Sequence, residues 1–140
     1  MPYDKTLRWS AFGFGVFFAL VVALGYIPQL NAGMDHVSMQ ASGEHKMLGL
    51  YMIGVADDVT HGLTALIFLL AAATSAAASR LALLAFGWYY AVDASIYLVT
   101  GLVQHKPFMS NILLNIPHVV LSAIMLGLAY RGVRTASARV

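Results

Sequence analysis

Four long apolar blocks, nearly free of charge, leave this chain of 140 residues few folds to choose from. A helix needs about 20 mainly apolar residues to cross a hydrocarbon core roughly 30 Å thick. Blocks of that kind run over residues 9–27, 55–73, 81–103 and 112–130. The first holds no charge and stops at Pro28, which cannot continue a helical hydrogen-bond ladder. The second starts near Met47 or Val55, because Asp57, Asp58 and His61 interrupt its apolar run. The third carries a single charge, Asp93. Together they predict an all-α integral membrane four-helix bundle. It forms one transmembrane domain over 1–140 and reads as two helical hairpins embedded in a lipid bilayer. Lys5 and Arg8 precede the first block as they would a signal peptide, but the block exceeds the usual h-region of about 7–15 residues. It reads as a retained helix.

The positive charges give an orientation. Lys5, Arg8, Arg80, Arg131, Arg134 and Arg139 fall on one side of a four-span arrangement, and only Lys46 and Lys106 on the other. Lys/Arg excess marks the cytoplasmic side, so both termini are expected inside and the loops 28–46 and 104–111 outside. The Ala/Ser stretch 71–79 reads as a short inner connection. A net charge of +2, sorted by membrane side, gives no nucleic-acid surface. Absence of cysteine excludes disulfides, iron–sulfur clusters and thiol chemistry.

Against that background the polar residues stand out by where they gather. All five histidines, His36, His45, His61, His105 and His118, fall on the expected outer side, with Asp35, Glu44, Asp57 and Asp58. Helical spacing puts Asp57, His61 and Thr64 on one face of the second span. Asn111, Asn115, His118 and Ser122 share a face of the fourth, and Tyr89, Asp93, Tyr97, Thr100 and Gln104 a stripe on the third. Polar stripes facing lipid would leave groups unsatisfied, so the three should face one another in a pocket. The first span has no such stripe and is expected to serve packing. Asp57 or Asp58 can cap the second helix and Asn111 or Asn115 the fourth, with Pro117 fitting if that helix begins near Asn115. Asp93, a carboxylate within a span, reads as functional by default.

A short duplication runs through these residues. Asp58-Val59-Thr60-His61 and Asn115-Ile116-Pro117-His118 share an [Asp/Asn]-x-x-His pattern at the start of the second and fourth spans. On this segment and the four-span layout, the chain resembles small four-helix bacterial membrane proteins of the DoxX-like kind and related domains of unknown function. The resemblance implies a four-helix fold in a bacterial inner (plasma) membrane. It implies no activity, since these families have no single established one.

Three functions fit the cluster. In the first, a transition metal ion of the Cu or Zn class is held by His61, His118, Asp57, Asp58 and Asp93, with His36 and His45 delivering it or closing over it. Met34, Met39 and Met47 beside those loop histidines are soft donors suited to Cu(I), whereas Asp and His suit Zn. Shared ligation would bring the ring nitrogens of His61 and His118 to about 3–4 Å from one another. In the second, the chain is a non-catalytic accessory or structural subunit that joins other membrane subunits or self-associates. In the third, His61 and His118 serve a haem or quinone, although the carboxylates around them argue against haem. No HExxH, nucleophile elbow or phosphate loop points to an enzyme.

Overall fold

Ser75 alone connects the second and third helices of the bundle. A computed structural model of the chain describes residues 2–27, 44–47 and 51–137. In chain order these form α1 (Pro2–Gly25), β1 (Glu44–Met47), β2 (Tyr51–Gly54), α2 (Val55–Thr74), α3 (Ala76–Val103) and α4 (Phe108–Ser137). All four helices are long and apolar enough to cross a membrane. Their large outward side chains, among them Leu20, Leu66, Leu70, Ile96 and Leu113, are exposed, while small and polar residues such as Ala11, Thr64, Ser79 and Ala129 fill the interior. That distribution suits lipid rather than water as the surrounding solvent.

The local chemistry at each end explains the boundaries. α2 begins at Val55 because Gly54 is extended and the Asp57 carboxylate accepts the Gly54 N–H at 3.0 Å. At Ser75 the backbone is again extended. Its hydroxyl oxygen accepts the Ala78 N–H at 3.1 Å, so strong alanine helix formers on both sides can continue as helix. The third helix therefore starts at Ala76, inward of the apolar block at Leu81. It ends in a Schellman motif: His105, at φ 54°, gives its N–H to Leu102, and Lys106 gives its N–H to Gly101. The exposed His105 thus has a structural place in this turn.

Three sequence expectations need correction. Residues 44–47 are not loop but a strand, paired antiparallel with β2 from Glu44 opposite Gly54 to Met47 opposite Tyr51. α4 starts at Phe108, so Asn111 and Asn115 are buried interior residues rather than caps. Asn111 Nδ2 donates to the Leu98 carbonyl of α3 at 2.9 Å, and Asn115 Nδ2 to the Asn111 carbonyl at 2.7 Å. Pro117 consequently lies inside α4, where it has no N–H for the Leu113 carbonyl. Finally, α1 does more than pack, as the site geometry below makes plain.

The hairpin partners α1–α2 and α3–α4 are the most extensively packed pairs, and they are built alike. Arg8 of α1 donates from Nε to the Ala72 carbonyl near the end of α2 at 2.8 Å, and Arg80 of α3 donates from Nε to the Ala129 carbonyl of α4 at 2.9 Å. Ala72 is in the last turn of α2, where the helix dipole favours a cation, whereas Ala129 lies within α4. Gly15 lies so close to Leu69 that a Cβ would sit 2.7 Å from it, and Gly87 stands in the same relation to Leu126 at 2.8 Å. A third bond ties the hairpins together, from the Tyr3 hydroxyl of α1 to the Leu128 carbonyl of α4.

Candidate functional site

Near the middle of the helices' length, rather than at either end of the bundle, four rings run through the interior. The His61 imidazole of α2 stacks on Phe18 of α1 (5.7 Å, 16°), Phe18 on Tyr90 of α3 (5.5 Å, 5°), and Tyr90 on His118 of α4 (5.4 Å, 29°). Every helix supplies one ring. Phe18 and Tyr90 are almost wholly buried, at 1% and 2% exposure, and so hold the two imidazoles in fixed planes.

This order changes the expected arrangement of the histidines. His61 and His118 belong to one cluster, but Phe18 and Tyr90 are interleaved between them, so the two imidazoles do not meet directly. The reason is steric: α1 and α3 cross near Phe18 and Tyr90, and these rings fill the space that converging imidazoles would need. Nothing in the polar pattern of the third and fourth spans could have placed an aromatic from the first span there.

Asp93 meets His118 instead. Its Oδ2 lies 3.2 Å from His118 Nδ1, with both side chains roughly a quarter exposed. The approach is not in hydrogen-bonding alignment, and His118 Nδ1 is a buried nitrogen with no hydrogen-bond partner. His61 Nδ1 and the Tyr90 hydroxyl are buried too, but each has a neighbour to bond, the Asp57 backbone and the Thr64 side chain respectively. Unsatisfied buried polar atoms are uncommon, at about 1–3 kcal/mol each. An unpartnered His118 Nδ1 beside a carboxylate makes the His118–Asp93 pair the candidate site.

The remaining acidic residues divide their tasks. Asp57 is exposed and engaged at the start of α2. Asp58 is buried and accepts a 2.7 Å bond from the Tyr26 hydroxyl just beyond α1. That bond, reinforced by burial and by the carboxylate charge, holds the Tyr26 phenol above its usual range. Thr64 turns its hydroxyl back to the Thr60 carbonyl at 2.7 Å. Among the described residues, no three of His, Asp or Glu stand close enough together to hold a metal ion. His36 lies outside the described residues, and so does the His45 side chain.

No family model, curated protein or solved structure matches this chain. Fold and site therefore rest on the chain's own residues. Sequence reasoning missed Phe18, Tyr90 and Tyr26, yet a signal for the first two was present. Arg8, Phe14-Gly15 and Phe18-Ala19 recur at the same spacing as Arg80, Phe86-Gly87 and Tyr90-Ala91, an Arg-x5-Phe-Gly-x2-aromatic-Ala pattern in α1 and α3.

Proposed function

We propose that this chain is a small bacterial inner-membrane protein of the DoxX-like kind, with both termini in the cytoplasm, that binds a transition metal ion at the His118–Asp93 pair. The observation that carries the reading is a nitrogen and a carboxylate oxygen 3.2 Å apart without hydrogen-bond alignment. Two donors each about 2.0–2.1 Å from a tetrahedral ion stand about 3.3–3.4 Å apart, because both aim at the ion and not at each other. A nitrogen–carboxylate pair favours the Zn class over Cu(I). The Tyr90 ring against His118 would fix the imidazole plane, and water would complete the coordination.

Zinc content of the protein purified in detergent tests this. His118→Ala and Asp93→Asn should each abolish stoichiometric zinc binding, with the bundle still folded, because each removes one of only two protein ligands. Unchanged zinc content in both variants would sink the site. It would favour the accessory-subunit reading, in which His118 and Asp93 simply pair to hold α3 against α4. That rival has one supporting observation: the interior Asn111, Asn115 and Ser79 side chains all find backbone partners, as a purely structural interior requires. Phe18 and Tyr90, standing between the two histidines, argue against a haem or quinone bridged by them.

The orientation follows the charge asymmetry of the sequence, and Arg8 and Arg80 at one end of the bundle accord with it. The chain has no cysteine, so single introduced thiols can be read cleanly. Ser110→Cys should react with an impermeant thiol reagent on intact cells, and Thr74→Cys should react only after permeabilisation. The opposite pattern would invert the topology.

A further inference from the structure

We infer that the chain is a tandem repeat of one helical hairpin carrying two equivalent half-sites, and that only the second is completed by a carboxylate. The inference rests on the metal reading above and adds where the ion belongs and why there is one.

The repeat extends well beyond the [Asp/Asn]-x-x-His segment. A shift of 72 residues carries α1 onto α3: Arg8 onto Arg80, Phe14-Gly15 onto Phe86-Gly87, and Phe18 onto Tyr90. A shift of 57 carries α2 onto α4: Asp58 onto Asn115, His61 onto His118, Leu69 onto Leu126, and Ala72 onto Ala129. These are not matches of letters alone, because the contacts map as well. Arg8 bonds Ala72 as Arg80 bonds Ala129. Gly15 crowds Leu69 as Gly87 crowds Leu126. Phe18 stacks on His61 as Tyr90 stacks on His118, and the two repeats meet where Phe18 stacks on Tyr90. Ligand sites at the interface of repeated helical units are a recurrent arrangement in membrane proteins.

Against this equivalence one difference decides the chemistry. Asp93 stands three residues beyond Tyr90, and the residue three beyond Phe18 is Val21. Both positions are half-buried. His118 therefore has a carboxylate oxygen beside its Nδ1, and His61 has an apolar side chain at the matching position. The first repeat keeps its carboxylate elsewhere: Asp58 is bonded to Tyr26, where the equivalent Asn115 is neutral and bonded within α4. One hairpin braces the cluster, and the other binds the ion.

Zn(II) titration of the detergent-purified full chain, with bound metal measured by elemental analysis, tests the assignment. The wild type and His61→Gln should each hold about one ion per chain, Val21→Asp about two, and Val21→Asp combined with His61→Gln about one. Loss of the wild-type ion in His61→Gln would overturn the half-site assignment while leaving the metal reading standing. Retention of the ion in His118→Ala would overturn the metal reading itself. A folded Val21→Asp that still takes only one ion overturns the equivalence. Where Val21→Asp does not fold, the exchange Val21→Asp with Asp93→Val keeps the carboxylate count constant. It should hold one ion that His61→Gln removes, and failure of the exchange to fold or to bind overturns the equivalence too.

Discussion

Phe18→Ala should destabilise the bundle by about 3 kcal/mol, the largest loss expected from any single truncation in the interior. The side chain is 1% exposed and stacks on rings from two other helices, His61 and Phe68 of α2 and Tyr90 of α3. In a bilayer the transfer of apolar surface out of water contributes little between helices, so packing carries a larger share of the energy. Removal of this ring leaves a cavity that the flanking rings cannot close without giving up their own planes. Phe18→Leu retains most of the volume and should lose about 1 kcal/mol. Tyr90→Phe, by contrast, keeps the ring and removes only the hydroxyl, and should cost no more than about 1 kcal/mol. Equilibrium unfolding in mixed detergent micelles gives all three values. A Phe18→Ala protein as stable as the wild type would mean that the four-ring run is not the core of the bundle.

The second large effect is expected at Gly101. A Cβ built there falls 2.2–2.5 Å from the amide atoms of Asn111, so alanine and the Asn111 side chain cannot both occupy the space. Gly101→Ala should expel that amide and break its bond to the Leu98 carbonyl. α4 would then have to move away from α3, disturbing the neighbouring Asn115. Overpacking and a lost buried hydrogen bond together amount to about 2–4 kcal/mol. Asn111→Gly removes the obstacle, so the double variant should recover part of the loss. The coupling, read from a double-mutant cycle, should be about 1 kcal/mol or more. Additive losses would show that the two positions do not share one space.

The amino-acid sequence by itself determined the class of fold. Four apolar blocks about as long as the hydrocarbon core is thick can satisfy their backbone groups only as helices, whatever their order in space. Of the helix ends, the start of α2 was legible through Asp57, because capping acts between residues close in the chain, whereas the starts at Ala76 and Phe108 fell inside stretches expected to be connection and loop. The inward polar face of α4 was legible from helical period alone and pointed to His118, but on α3 only Asp93 of the expected stripe turns inward, Tyr89, Tyr97, Thr100 and Gln104 being exposed. The tertiary structure decided their relations. The pairing of Asp93 with His118 rather than His61, and the insertion of Phe18 and Tyr90 between the histidines, depend on how α1 and α3 cross. Close approach within each hairpin is set at Gly15 and Gly87, small residues whose role appears only when Leu69 and Leu126 are seen lying against them. Periodicity says which face of a helix a side chain occupies, and packing alone says what that face meets.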